Sequence, residues 1–213
     1  MPIKIVFFDC DGTLTRVKSS WEHLHRRLGL WTDKADAYQA LFREGKIDYN
    51  EFCRKDALLW RGLSVDRVNE IVGEIPYQQN AAEAVCELRG MGITTVIISS
   101  GLSFLVQRVK DDLSIDMALS NALVSRSGFI TGELQINVEY NRKGPLVERI
   151  LDFYRLRREE ASAVGDGDGD SGMFGAVSLP IGLVDNGNLP AHDGCLHQVH
   201  DLNEIVKIIK DYG

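Results

Sequence analysis

The chain has 213 residues, of which 44% are hydrophobic, and its formal net charge at pH 7 is −7. This length is enough to bury a full hydrophobic core in one or two domains. The sequence has no basic stripe, no run of like charges and no apolar run of about 18 residues, so we expect neither nucleic acid nor membrane as a partner.

The cysteines and the amino terminus indicate the compartment. Cys10, Cys53, Cys86 and Cys195 are scattered without a CxxC pair, which argues against a disulfide framework or a zinc site. The first residues, MPIKIVFF, lack the long apolar segment and the cleavage site of a signal peptide. We therefore expect a cytoplasmic protein with reduced thiols.

The first predicted strand leads directly into two carboxylates. The apolar run from Ile5 to Phe8 is typical of a buried strand in a parallel sheet, and Asp9 and Asp11 follow it. Two carboxylates two residues apart at a strand end share one face and repel each other unless a cation or a shared proton lies between them. Two solvated loop aspartates are the alternative, but the strand that precedes them favours a site.

Residues 16–75, here called the cap, contain no strand-like run. Capping residues and glycines delimit about four predicted helices. All three tryptophans of the chain lie in the cap, and we expect them to form the core of a small helical subdomain rather than a ligand contact. The predicted helices cover residues 21–28, 35–44, 48–60 and 65–72.

The rest of the chain alternates between helices and strands. This alternation predicts an α/β fold, a Rossmann-like parallel sheet with helices on both faces, whose core consists of residues 1–15 and 76–213. Residues 122–136, with a turn at Ser127-Gly128, predict a small β-hairpin flap. The other predicted strands are 94–98, 161–164 and 180–184, and the predicted helices are 81–89, 103–113, 145–154, 171–176 and 202–210.

Groups that bind anions follow the second strand and begin a later helix. Ser99, Ser100 and Gly101 stand between a strand and a helix, where hydroxyl and backbone N–H groups bind anions. Lys143 stands at a helix start, where its charge opposes the helix dipole unless it meets an anion. Each signal is weak alone, because capping serines and solvated lysines are common.

Three glycine-spaced aspartates follow the strand at residues 161–164. Asp166, Asp168 and Asp170 match the first ligands of a calcium loop, but Ser171 and Val177 replace its glycine and its glutamate. Magnesium fits better, because it takes one or two carboxylates together with waters and a substrate phosphate oxygen. Parallel sheets bind ligands at the carboxyl ends of their strands, so we expect these groups to meet there.

These motifs together resemble the haloacid dehalogenase superfamily of phosphatases. The matching segments are FFDCDGTLT (7–15), VIISSG (96–101), RKG (142–144) and GDGDGD (165–170), in the family's order and over nearly the whole chain. The predicted helical cap between the first two motifs is similar to that of the phosphoserine phosphatase-like branch.

The resemblance implies a magnesium-dependent phosphatase that acts on a small phosphorylated metabolite. Asp9 would be the nucleophile that forms an aspartyl-phosphate, and Asp11 the general acid and then the general base. Mg²⁺ would bind Asp9, the backbone carbonyl of Asp11 and Asp166. The remaining implied roles are phosphate binding by Ser99, Ser100, Gly101 and Lys143, orientation of Lys143 or a metal-bound water by Asp170, and support of the first loop by Thr13.

The sequence departs from the branch at its specificity positions. Gly169 replaces an asparagine, Lys18 replaces the glutamate that meets the substrate's amino group, and Asp56 replaces the arginine that binds its carboxylate. We therefore expect a substrate other than phosphoserine, and Lys18 suggests an acidic one unless it is simply solvated. Arg54 or Lys55 would supply the missing charge if the register slipped. The candidate specificity residues are Lys18, Trp21, Arg54 and Asp56.

Two other functions remain open from the sequence. A phosphotransferase or phosphomutase would use the same aspartyl-phosphate and differ in whether water or a second alcohol reaches it. A non-catalytic binding module would be expected to lack a catalytic residue, whereas Asp9, Asp11, Ser99, Lys143 and Asp166 are all present. The sequence is compatible with a monomer or a homodimer.

Overall fold

The computed structural model describes residues 1–184 and 194–212, so residues 185–193 and 213 of the predicted core lie outside it. The described strands form a single seven-stranded sheet in the order β4-β3-β2-β1-β5-β6-β7. Every pairing is parallel except that of β3 with β4. The strands are β1 (Ile5–Phe8), β2 (Thr94–Leu102), β3 (Met117–Arg126), β4 (Phe129–Gln135), β5 (Ala161–Gly165), β6 (Leu179–Leu183) and β7 (His197–Val199).

Helices connect the strands and cover both faces of the sheet, which confirms the predicted α/β architecture. Within the described ranges, none of them combines the length and the apolar character that a bilayer span requires. They are α1 (Ser20–Arg27), α2 (Asp33–Arg43), α3 (Tyr49–Leu59), α4 (Val65–Gly73), α5 (Ala81–Gly90), α6 (Ser103–Asp112), α7 (Gly144–Tyr154), α8 (Ser171–Gly175) and α9 (Leu202–Asp211).

The central strand β1 shows why its sequence is apolar throughout. Ile5 and Phe7 point to one face and pack in the cluster that contains side chains of α7 and α8. Val6 and Phe8 point to the other face, in the cluster that contains side chains of α5, α6 and α9. All four side chains are fully buried, because a strand covered on both faces has no solvent-facing side.

The predicted helices of the cap are present as α1 to α4. Ser19, Asp48 and Ser64 cap α1, α3 and α4 through their side chains. The sequence offered Ser64 for α4 and left open Ser19 or Ser20 for α1 and Asp48 or Asn50 for α3. Trp21 and Trp60 are buried and stacked with ring centroids 5.2 Å apart, so their predicted core role is confirmed. The prediction is wrong for Trp31, which is only partly buried and lies outside that core. The cluster of Trp21 and Trp60 is continuous with that of the core.

The predicted hairpin is present as β3 and β4 and forms one edge of the main sheet, because β3 also pairs with β2. The hairpin is tied to the cap by backbone hydrogen bonds of 2.8 Å, from Gly62 N–H to Ile130 O and from Ile130 N–H to Leu63 O. The sequence did not predict the short strand β7, and it ended β2 too early. A register shift between Ile98 and Leu102 interrupts the apolar pattern of β2 while the strand continues.

We expect replacement of Phe7 by alanine to destabilise the fold strongly. Phe7 is fully buried in the central strand, and the cavity left by a Phe→Ala change costs about 3–5 kcal/mol. The matched control is Phe153→Ala, because Phe153 is 74% exposed and its loss should cost less than about 0.5 kcal/mol. Urea denaturation of both variants measures the free energy of unfolding. An equal decrease in both would contradict the proposal that the buried strand β1 contributes strongly to stability.

Candidate active site

The predicted site residues meet at the carboxyl edge of the sheet. Asp9 follows β1, Ser99 lies near the end of β2 and Asp166 follows β5, while Lys143 immediately precedes α7. Because β1, β2 and β5 are neighbouring parallel strands, their carboxyl ends are adjacent. The structure therefore brings all four sequence motifs around one cavity.

The ammonium group of Lys143 joins two of these loops. Its Nζ lies 2.7 Å from Asp9 Oδ1 and 2.6 Å from Asp170 Oδ1, and the residue is only 1% exposed. Burial alone would lower the pKa of Lys143, but the charges of Asp170 and Asp9 outweigh it and raise that pKa. Lys143 is therefore a fixed positive charge beside the predicted nucleophile.

Asp170 also shapes the loop after β5. Its Oδ2 accepts hydrogen bonds from the backbone N–H groups of Asp166 (3.1 Å) and Gly167 (3.2 Å). A Cβ atom on Gly165 would lie 2.2 Å from the same oxygen, so only glycine allows this approach. The glycine at position 165 thus lets the carboxylate of Asp170 approach the loop backbone and hold it through two hydrogen bonds.

The side chain of Asp166 is held from two sides. Thr13 Oγ1 donates to its Oδ1 at 3.1 Å, and the Nζ of Lys18 donates to its Oδ2 at 2.6 Å. Gly12 has a φ of +84°, and a Cβ atom there would lie 2.3 Å from Asp166 Oδ2. Lys18, which the sequence suggested as a substrate contact, is thus paired with a predicted metal ligand.

Three carboxylates form a group that fits a divalent cation. Asp9, Asp166 and Asp170 each offer an oxygen, and these atoms lie within 4.8 Å of one another. Burial raises the pKa of Asp9 to about 8 against the attraction of Lys143, so its ionised form needs a further positive charge near neutral pH. Hard oxygen ligands in such a group are those that Mg²⁺ prefers.

Asp11 lies beside this group, and Ser20, which the sequence did not assign to the site, holds it. The backbone N–H and the hydroxyl of Ser20 both donate to Asp11 Oδ2 at 2.7 Å. The other oxygen, Oδ1, is buried and has no partner among the described residues. Burial raises the pKa of Asp11 although the bonds from Ser20 lower it, which suits a carboxyl group that donates a proton from Oδ1.

The sequence placed Ser19 and Ser20 only as helix caps. Ser19 does cap α1, and the next hydroxyl turns to Asp11. The two adjacent serines a few residues after the first motif were thus the sequence signal from which a contact to Asp11 could have been predicted.

Ser99 and Gly101 form a tight turn at the end of β2. Ser99 Oγ accepts the N–H of Gly101 at 3.0 Å, which leaves its own hydroxyl proton free to donate. The Gly101 N–H, expected to face a phosphate, is therefore used within the turn of this structure. A Cβ atom on Gly101 would lie 2.7 Å from Asp11 Oδ2, so the close approach of the Asp11 carboxyl requires glycine at this position.

The carbonyl oxygen of Ser100 connects the site with the cap. It accepts hydrogen bonds from Trp21 Nε1 (3.1 Å), Tyr49 Oη (2.8 Å) and Asn121 Nδ2 (3.0 Å). Tyr49 and Asn121 were not predicted, because bonds to a distant backbone carbonyl leave no sequence pattern. Trp21, a predicted specificity residue, therefore also positions the loop of Ser99.

A cavity of about 860 Å³ lies between the cap and the sheet edge. One stripe of α3, spaced as neighbouring turns of a helix, lines its wall. Asp56 faces the cavity, whereas Arg54 is exposed and neither Arg54 nor Lys55 is part of the described lining. The stripe consists of Tyr49, Phe52, Cys53 and Asp56.

Comparison with known proteins agrees with this geometry. The family model of the haloacid dehalogenase-like hydrolases matches residues 6–174. The phosphoserine phosphatase of Methanocaldococcus jannaschii is 29% identical over 209 residues, which cover 97% of this chain and 98% of that one. A probable phosphoserine phosphatase of Schizosaccharomyces pombe is 33% identical over 181 residues, which cover 84% of this chain and 60% of that one.

A solved structure agrees as well. It is that of a phospho-aspartyl intermediate analogue of phosphoserine phosphatase, with a TM-score of 0.82 and 26% identity, and the match covers 98% of this chain and 99% of that one. The comparisons thus give no support to the expectation that phosphoserine is not the substrate. That expectation rested on Lys18 and Asp56, and the structure pairs Lys18 with Asp166.

We expect Gly101→Ala to lower kcat/KM about a hundredfold, because the added methyl group would displace the carboxyl of Asp11 from its position. The matched control is Gly175→Ala, since a Cβ atom there meets nothing within 4 Å. Steady-state kinetics with para-nitrophenyl phosphate, together with circular dichroism to verify folding, would measure both. Full activity of folded Gly101→Ala protein would contradict the tight packing of Gly101 on Asp11.

Proposed function

Because the chain belongs to the haloacid dehalogenase-like hydrolases and is a phosphatase of that family, we propose that it hydrolyses small phosphomonoesters with Mg²⁺ through an aspartyl-phosphate on Asp9. The observation that carries this proposal is the arrangement around Lys143. One buried ammonium lies between Asp9 and Asp170, and the oxygens of Asp9, Asp166 and Asp170 are close enough for one divalent cation.

In the first half-reaction, a carboxylate oxygen of Asp9 attacks phosphorus and the bond to the leaving alcohol breaks. Lys143 and the free hydroxyl of Ser99 hold the phosphate oxygens and offset their charge. Asp11 gives its proton to the leaving oxygen. Its raised pKa and its unpartnered Oδ1 support this role.

In the second half-reaction, water attacks the phosphorus of the aspartyl-phosphate and Asp9 is released. Asp11, now ionised, accepts the proton of that water from the same position. Ser20 holds Asp11 through two hydrogen bonds in both half-reactions, so the proton transfer occurs along a fixed direction.

The residues present fit Mg²⁺, with Asp9 and Asp166 as its carboxylate ligands. When bound, it would offset the negative charges of the nucleophile and the phosphate. Asp170 bonds Lys143 and two backbone N–H groups, so we assign it a positioning role rather than a direct ligand role.

Phosphoserine is the first substrate to test, because it is the substrate that the names of the relatives give. The cavity volume of about 860 Å³ accommodates a small metabolite of this size. Release of free phosphate would support hydrolysis, whereas transfer of the phosphoryl group to a second alcohol would support a phosphotransferase.

We expect Asp9→Asn to abolish turnover of para-nitrophenyl phosphate in the presence of Mg²⁺, since an amide does not replace the carboxylate as a nucleophile. Mass spectrometry of acid-quenched wild-type protein should show one added phosphoryl group, which the variant lacks. The control is Asp152→Asn on the exposed side of α7, which should retain full activity. Normal turnover by Asp9→Asn would refute the assignment of the nucleophile.

We expect Lys18→Ala to bind Mg²⁺ more tightly, because the Lys18 ammonium and the metal compete for Asp166. The gain in affinity should reach at most about fivefold, since a single exposed ion pair is worth up to about 1 kcal/mol. Isothermal calorimetry of the substrate-free protein measures it. Lys46→Ala serves as the control, since Lys46 is exposed and its ion pair among the described residues is with Glu44. Unchanged affinity in Lys18→Ala would show that no such competition occurs.

A further inference from the structure

The wall of the cavity opposite the catalytic loops is aromatic and belongs mostly to the cap. Phe42 stacks on Phe52 with centroids 5.1 Å apart, and it also contacts Tyr49 at 5.9 Å. Tyr140 adds a further ring, 5.7 Å from Phe42. The faces of aromatic rings attract cations and give no preference to anions.

Three charged side chains of the cap line this cavity: Lys18, Glu22 and Asp56. The first two are already neutralised by partners, because Lys18 pairs with Asp166 at 2.6 Å and Glu22 pairs with Arg26 at 2.7 Å. Of the three, Asp56 is therefore the one whose charge has no Lys, Arg, Asp or Glu partner among the described residues.

Asp56 has a neutral partner. Its Oδ1 lies 3.0 Å from the Nε2 of His25, which is 1% exposed and makes no well-directed hydrogen bond through that atom. The indole N–H of Trp60 donates to His25 Nδ1 at 2.7 Å. An indole only donates, so Nδ1 carries no proton and, on this hydrogen-bond pattern, the imidazole is neutral.

Asp56 is thus a carboxylate with a side chain only 14% exposed, at a cavity wall, and without a cation among its described contacts. A largely buried charge of this kind is costly unless a positive group meets it. The aromatic rings beside it on α3, Tyr49 and Phe52, complete a surface that suits an ammonium group.

From this wall we propose that the substrate is the phosphate ester of an amino alcohol, whose ammonium group binds between Asp56 and the aromatic rings of the cap. The inference rests on the proposed phosphatase function and specifies its leaving group. It assigns to Asp56 the role of selecting a cationic alcohol over a neutral or an anionic one.

The test compares 2-aminoethyl phosphate with 2-hydroxyethyl phosphate, which have nearly the same shape and differ in the charge of the leaving group. We expect wild-type kcat/KM to be at least about tenfold higher for the amino compound. This factor corresponds to about 1.4 kcal/mol of additional transition-state stabilisation. Asp56→Asn should lose this preference, because its kcat/KM for the amino compound should fall to that for the hydroxy compound. The control is Glu51→Gln, an exposed acid on the same helix that pairs with Lys55 outside the cavity and should keep the preference.

Equal turnover of the two esters by the wild type, or a preference that survives in Asp56→Asn, would overturn the inference while leaving the phosphatase function intact. Failure of the proposed function would show differently, as no turnover of para-nitrophenyl phosphate with Mg²⁺. Isothermal calorimetry of both esters with the Asp9→Asn protein measures their affinity for the cavity in the absence of turnover, and so tests the role of Asp56 and the aromatic rings in binding. Tighter binding of the amino ester supports the inference, and equal binding refutes it.

Discussion

The structure of the site depends on the ammonium group of Lys143 between the carboxylates of Asp9 and Asp170. This contact joins the end of β1, the start of α7 and the loop before α8, which lie far apart in the sequence. Removing one partner of such a buried arrangement leaves an uncompensated charge, so the loops are held in one geometry. Lys143 thus fixes Asp9, the proposed nucleophile, before any substrate is present, and this preorganisation is what phosphoryl transfer requires.

The same charges support the proposed divalent cation. The carboxylates of Asp9, Asp166 and Asp170 are met by the ammonium groups of Lys143 and Lys18, so one negative charge is left over. A phosphate ester adds roughly two more at neutral pH. Lys18 is largely exposed and flexible, and can leave Asp166, whereas Lys143 is buried between two partners and cannot. The site therefore has one permanent cation and one exchangeable position.

The fold class and the meeting of the four segments at one cavity could be predicted from the sequence, because each segment has a local sequence pattern. An apolar run that ends in Asp, Ser or glycine-spaced Asp predicts a strand end, and parallel topology then brings the strand ends together. Contacts to Asp11 and to the Ser100 carbonyl were not predictable, since Ser20, Tyr49 and Asn121 reach them through tertiary packing. The choice between Arg54 and Asp56 was readable from helical spacing, which places residue 56 on the face of residues 49, 52 and 53.

Helix α3 links the recognition of the leaving group to the geometry of the phosphate site. Tyr49 and Asp56 are seven residues apart, two helical turns, and both face the cavity. Tyr49 holds the Ser100 carbonyl beside Ser99, while Asp56 stands at the aromatic wall. A group that draws Asp56 inward acts on the same rigid element that orders the loop of Ser99. With the proposed amino ester as substrate, binding energy from the leaving group would be available at the reacting phosphate, where it would raise kcat rather than affinity alone.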